Sequence, residues 1–212
     1  MKKLIIIIFA LIVSGVALAQ QNADPRPDIQ TIFKSSRTTG YGAITNKFTS
    51  IRGEYANMVG VYGGVFIDRR VMIGVGGFAT TNNITVPAEF SSRPGVPMSY
   101  GFVQTGLMTE YVVGSNKPVH LVLSMFAGAG FSFQYENWTS PDYDWNQSHG
   151  IYDQQWFFVL EPGAQLEINM FKWMRLSPGI SYRGAFNSDG LGLSDSNMSD
   201  ISYNVTLKFG KF

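Results

Sequence analysis

The sequence predicts an all-β fold, an eight-stranded antiparallel transmembrane up-and-down β-barrel, and three observations predict it. Residues 1–19 read as a secretory leader. The remainder divides into eight stretches in which apolar and polar side chains alternate, the period of a strand with one apolar face. The connections between these stretches alternate between short and long, as they do in bacterial barrels with tight periplasmic turns.

In the leader, Lys2 and Lys3 form a positive n-region and Leu4 to Val13 an apolar core. Ala17-Leu18-Ala19 is an A-x-A cleavage site before Gln20. The apolar core is too short for a spanning helix, and no later run is long enough for one. The chain has no Cys, which excludes disulfides, thiolate metal sites and lipoprotein acylation. The formal net charge is +1, and two of the lysines leave with the leader, so nothing suggests a nucleic-acid partner. By length, 20–212 is one domain. Residues 20–36, with Asp24-Pro25-Arg26-Pro27-Asp28, are read as a periplasmic N-terminal tail and 37–212 as the barrel.

The strands are expected at 38–48, 54–67, 71–82, 99–113, 119–134, 154–170, 174–187 and 199–211. Most reach the roughly 9–11 residues that a tilted strand needs to cross a bilayer. The short connections are Asp68-Arg69-Arg70, Gly114 to Pro118, and Phe171-Lys172-Trp173. The long ones are 83–98, 135–153 and 188–198. With eight strands both termini are periplasmic and every short turn falls on the periplasmic side. The connection near Thr49 to Gly53 is short where a long outer loop is expected.

Parity sharpens the prediction. Val103, Leu107, Tyr111 and Val113 share one face of the fourth strand, and Val119, Leu121, Leu123 and Met125 one face of the fifth. Trp156, Phe158, Leu160 and Leu166 do so in the sixth, and Leu176, Ile180, Tyr182 and Phe186 in the seventh. The last strand places Tyr203, Val205, Leu207 and Phe209 together, leaving Phe212 out of parity. The first strand, around Gly40 to Lys47, shows no convincing apolar face. Pro162 and Pro178 remove ladder N–H groups in a sheet without free edges, and bulges are expected there.

An eight-stranded barrel is wide enough only for side chains, so a filled lumen is expected. Pairing Ile67 with Val71 puts Tyr62 opposite Gly76, Gly60 opposite Phe78, and Phe66 opposite Met72, large against small. A three-residue turn at Phe171-Lys172-Trp173 sets Glu161 opposite Arg183 and brings Glu167 close to Arg175. Glu110, His120 and Lys208 are expected at a similar depth. These seven residues form the expected lumen charge network. Buried charges are tolerated when paired and hydrogen-bonded, so a structural role is expected ahead of a gate or proton path.

The third outer loop carries Trp138, Asp142, Tyr143, Asp144, Trp145 and His149, read as an outer-loop contact surface. Asp142, Asp144 and Asn146 echo the start of a calcium loop, but Gln147 stands where that loop requires glycine. Ser148 and His149 are adjacent, and adjacent loop residues seldom converge as nucleophile and base. No metal, cofactor or catalytic residue is assigned.

On these eight segments, the short turns and the terminal aromatic Phe212, residues 38–212 resemble the small single-domain outer-membrane β-barrels, the class of OmpX and the OmpA transmembrane domain. Gly63-Gly64-Val65-Phe66-Ile67-Asp68 and the stretch from Trp173 to Arg183 are also similar to uncharacterised Bacteroidetes-type barrels. The resemblance implies a Gram-negative outer-membrane location, lipid as surroundings, and the barrel-assembly machinery as partner during biogenesis. No peptidoglycan-binding domain follows the barrel, so a tethering role is not expected. The expected function is a non-enzymatic, monomeric barrel serving envelope structure or surface interaction through its outer loops. The alternatives are a lipid-modifying or hydrolytic barrel enzyme, with His149 as its base, and a porin-like narrow channel for small apolar solutes past Tyr62, Phe66 and Phe78.

Overall fold

The computed structural model describes residues 38–137, 150–190 and 192–212. The expected signal peptide (1–19), the expected tail (20–36) and the expected contact residues Trp138, Asp142, Tyr143, Asp144, Trp145 and His149 lie outside the described residues. Eight long strands form one antiparallel wall: β1 (Thr38–Ile51), β2 (Glu54–Ile67), β3 (Val71–Thr80), β4 (Met98–Val113), β5 (Val119–Glu136), β6 (Ile151–Phe171), β7 (Met174–Phe186) and β8 (Asp200–Gly210). Every strand pairs with its neighbours in sequence, and β1 pairs with β8, so the wall closes on itself and has no free edge.

The alternation sorts side chains between the two surfaces of the wall. Odd residues of β1, β6 and β7, and even residues of the other strands, turn into the lumen, where Phe66, Met72, Val122 and Lys208 are fully buried. Their neighbours in sequence turn outward and are large and apolar, such as Val61, Leu107, Ile180 and Val205. An apolar outer wall is stable only against hydrocarbon, which fits a strand-built membrane span. β1 obeys the same rule with a weaker pattern: Tyr41, Ala43, Thr45 and Lys47 face inward, while Ile44 and Phe48 alternate with Gly42 and Asn46 outside.

Glycine permits the tight filling. Gly60 pairs with Phe78 and Gly76 with Tyr62, as the register requires. A Cβ on Gly60 would lie 2.2 Å from the Phe78 ring, and one on Gly76 2.6 Å from the Tyr62 Cβ.

The short turns lie at one end of the barrel, the turn end. At Asp68-Arg69-Arg70 the first two residues have φ of 50° and 57°, the left-handed conformation of primed hairpin turns. Between β6 and β7 the expected three-residue turn is a two-residue turn, Lys172-Trp173, joining Phe171 to Met174. The register shifts between Asn169 and Phe171, so Met170 is the extra residue, and Met170 and Phe171 both stay exposed. Above the shift the expected register holds: Gly163 faces Ser181 and Leu160 faces Gly184.

Pro162 and Pro178 form no bulge. Pro162 pairs with Met125 and Pro178 with Val205, and the cost falls on the β6–β7 seam. Pairing there lapses at Glu161-Pro162 and again opposite Pro178, then resumes in the same register. Missing N–H groups placed on one seam interrupt the ladder without adding a residue to it. The other shift in register is between Ser132 and Gln134.

The opposite end, the loop end, is built differently. β1 runs past its expected end to Ile51 and turns tightly through Arg52 and Gly53, both at positive φ. The segment between β3 and β4 adds a two-residue strand, Ile84–Thr85, and a 3-10 turn, Ala88–Phe90. The segment before β8 adds a short helix, α1 (Asp195–Met198), whose N-cap Ser194 accepts from the Asn197 N–H at 3.3 Å. Ile84, Leu193 and Met198 are buried from these connections.

Candidate functional site

The lumen is the candidate site, and it is filled in three layers. Nearest the turn end lies a charged layer centred on Lys208. Its Nζ donates to Glu110 Oε2 at 2.8 Å and stands 2.7 Å from Glu167 Oε2, bridging carboxylates from β4 and β6. Glu167 also receives Arg175 Nη1 at 2.5 Å, His120 Nε2 at 2.8 Å and Ser177 Oγ at 3.3 Å. Glu110 receives the Tyr62 hydroxyl at 2.7 Å and the Tyr41 hydroxyl. Both ring nitrogens of His120 face oxygen atoms, Glu167 Oε1 at 2.8 Å and the Lys117 carbonyl at 3.1 Å.

Phe212 closes this layer from below. Strand parity puts its even position on the lumen side, and its ring lies 5.4 Å from Tyr41 and 6.4 Å from Phe66. The Arg175 guanidinium sits 3.8 Å from the Phe212 ring centroid, within cation–π range. Its break from the outward parity of Tyr203 to Phe209 is therefore inward packing at the mouth.

The middle layer corrects an expectation. Glu161 does not bond Arg183, its expected partner. Lys47, from β1 across the lumen, donates to both Glu161 oxygens at 2.8 and 2.9 Å, with Ser181 Oγ at 2.6 Å and Gln104 Nε2 at 3.0 Å. Lys47 also lies 3.7 Å from the Phe78 ring centroid. Beside this pair is a cavity of about 20 Å³, lined by Gln165, Asn204, Thr45 and Tyr62 among others. The buried Gln165 Oε1 and Asn204 Oδ1 have no hydrogen-bond partner, so one water-sized polar space remains in the filled core.

Arg183 belongs to the upper layer. It is 1 % exposed and its donors are taken by Met198 O at 2.8 Å, Ser50 O at 2.7 Å and Met58 Sδ at 3.4 Å. Around it Ile51, Met58, Met98, Tyr100, Phe102 and Phe157 are buried, with Phe102 and Phe157 stacked at 5.5 Å, and Ser132 and Gln134 are the buried polar side chains paired with Phe102 and Tyr100. Arg183 ties α1 and the β1 rim to the wall through backbone carbonyls. Outside it, Arg93 pairs with Glu136, which holds the Arg93 guanidinium above its ordinary pKa.

The structure therefore brings Glu110, His120, Glu167, Arg175 and Lys208 into one cluster and places Glu161 and Arg183 in separate layers. Tyr41, Lys47 and Gln104 join this network beyond the expected seven, as does Tyr62, which the register places in the lumen only as packing. Lys47 was signalled by its parity with Tyr41, Ala43 and Thr45, opposite Ile44 and Phe48. Ser177, Glu167 and His120 are neighbours, yet the carboxylate stands between hydroxyl and imidazole, and all three are buried. A hydrolytic triad needs the imidazole against the hydroxyl. Among the described residues, no group of three or more His, Asp or Glu is arranged to hold a metal ion.

No family model matches the chain, and no curated protein matches it either. Solved structures do. The N-terminal β-barrel domain of OprF from Pseudomonas aeruginosa aligns with TM-score 0.52 and 13% identity, covering 83% of this chain and 99% of that one. Neisserial surface protein A aligns with TM-score 0.53 and 11% identity, covering 84% of this chain and all of that one. At such identities the likeness is one of fold. The closed eight-stranded wall, its inward charges and apolar exterior give the chain the fold of the small outer-membrane β-barrels.

Proposed function

We propose that the chain is a non-enzymatic integral outer-membrane barrel that serves envelope structure or surface interaction through its long loops. The observation that carries this reading is the filled lumen: charged, polar and apolar layers leave a cavity of about 20 Å³. A sealed interior gives neither a path for solute nor a cleft for substrate. Function then falls to the wall and the loops. The leader at 1–19 supports export, and short turns at one end support a periplasmic position for both termini. Loop residues Trp138, Asp142, Tyr143, Asp144, Trp145 and His149 supply aromatic and acidic groups suited to a surface partner. The monomeric state fits a wall that pairs all its own edges.

The experiment compares envelope lipids and detergent sensitivity in cells with and without the gene. Raised detergent sensitivity with unchanged lipids supports the reading. A change in lipid A mass would replace it with a lipid-modifying enzyme.

A further inference from the structure

The two rims of the barrel differ in charge. Carboxylates prevail at the loop end, among them Glu54, Glu89, Asp189 and Asp195, and Arg93 there is already paired with Glu136. At the turn end the exposed side chains Arg69, Arg70, Lys117, Lys172 and Lys211 stand, among the described residues, against one exposed acidic side chain, Asp68. None of these five cations makes an ion pair among the described residues. Each strand-to-strand turn at this end supplies at least one of them.

Their height relative to lipid is fixed by aromatic rings. Phe171 and Trp173 are both 57% exposed and stacked at 5.6 Å, and Trp173 stacks on Phe209 at 6.2 Å. Exposed aromatic rings at the end of an apolar wall mark the interface between hydrocarbon and headgroups. Lys172 lies between Phe171 and Trp173 in the chain, so its ammonium is held at headgroup level. Beside it the mouth of the barrel opens as a concavity of about 770 Å³, lined by Arg69, Lys172, Arg175, Asn116, Ser115 and Phe212 among others. Unpaired cations above an aromatic girdle, around a polar recess, match the phosphate oxygens of a lipid headgroup.

We propose that the turn end is a binding site for anionic phospholipid headgroups, held by Arg69, Arg70, Lys117, Lys172 and Lys211. This rests on the reading of the chain as a membrane-spanning barrel, and it assigns different lipid surroundings to the two ends. Anionic lipid gathers around the turns, and the acidic loop end repels it.

The test is reconstitution of the full barrel in phosphatidylcholine bilayers with and without phosphatidylglycerol of the same acyl chains. Lipids retained after gentle extraction are then counted by native mass spectrometry. Phosphatidylglycerol is expected to be retained in preference, less so as salt rises. Each Lys or Arg replaced by Gln should lower the preference by about fivefold, and the combined R69Q/R70Q/K117Q/K172Q/K211Q variant should abolish it. All five positions are exposed, so this variant inserts like the parent, which its heat-modifiable gel mobility checks. Equal retention of the two lipids, or an unchanged preference in the combined variant, overturns the proposal while leaving the barrel reading intact. Displacement of the lipid by inorganic phosphate would show a site for the free ion and overturn the lipid assignment. Failure of the parent to insert overturns the barrel reading and this one together.

Discussion

The two halves of the lumen are filled by opposite means. Toward the turns, Lys208, Arg175 and His120 converge on Glu110 and Glu167, and each charge is satisfied by named partners. Toward the loops, Met58, Met98, Phe102, Phe157 and Met198 pack around a single cation, Arg183, that is bonded to carbonyls. The difference teaches where each half is brittle. A hydrogen-bonded charge cluster is specific and fails when one member is lost, because the remaining charges stay buried without partners. An apolar layer tolerates changes of shape and loses stability in proportion to the space left empty.

Removing one charge from the lower half should have the largest effect. Lys208→Met leaves Glu110 and Glu167 without their shared cation, and about 3–5 kcal/mol of unfolding free energy should disappear. Urea unfolding of the refolded barrel in detergent reads this directly. A loss under 1 kcal/mol, on the order of a surface pair, would contradict a cluster of paired charges. In the upper half, Met198→Ala should cost about 2–4 kcal/mol by leaving a cavity under α1, whereas Met58→Leu should cost less than about 1.5 kcal/mol. If Met58→Leu proved as damaging as Lys208→Met, the contrast between the halves would fail.

The middle layer sharpens the comparison. Glu161→Gln should lower the heat-denaturation temperature, because Lys47 then stays buried beside a neutral amide. The double variant Lys47→Met with Glu161→Leu should recover most of that loss, since two apolar groups leave no charge behind. A double variant less stable than Glu161→Gln alone would mean that Gln104 and Ser181 depend on the carboxylate more than Lys47 does. The smallest effect is expected outside the lumen. Arg93→Gln breaks a rim pair with Glu136 and should leave the urea midpoint nearly unchanged.

The wall was legible in the sequence because a strand sorts its side chains with period two, and a closed sheet in lipid reverses the usual sorting without altering that period. Leu107, Leu121, Ile180 and Val205 declare their face by number alone. The turn after Ile67 fixed the β2–β3 register, and with it the contact of Gly60 with Phe78. The lumen partners were less legible. Ladder register relates adjacent strands, whereas Lys47 on β1 meets Glu161 on β6, and Lys208 on β8 meets Glu110 on β4, across the barrel. Which charges meet across a lumen depends on strand tilt and side-chain reach, which pair counting does not contain. Arg183 was set against Glu161 by correct register counting. Its long side chain instead reaches the loop end, where Met198 O and Ser50 O take its donors. The extra residue at Met170 was hidden for a related reason, since a bulge changes parity for a few residues at a turn where parity carries little information.

A barrel filled by these layers is sealed to ions. Ion current through single barrels inserted in a planar bilayer tests this most directly. The filled lumen predicts no steady conductance for the parent protein, and none for Arg93→Gln. A stable, ohmic current through the parent at neutral pH would contradict the account and return the lumen to the status of a channel.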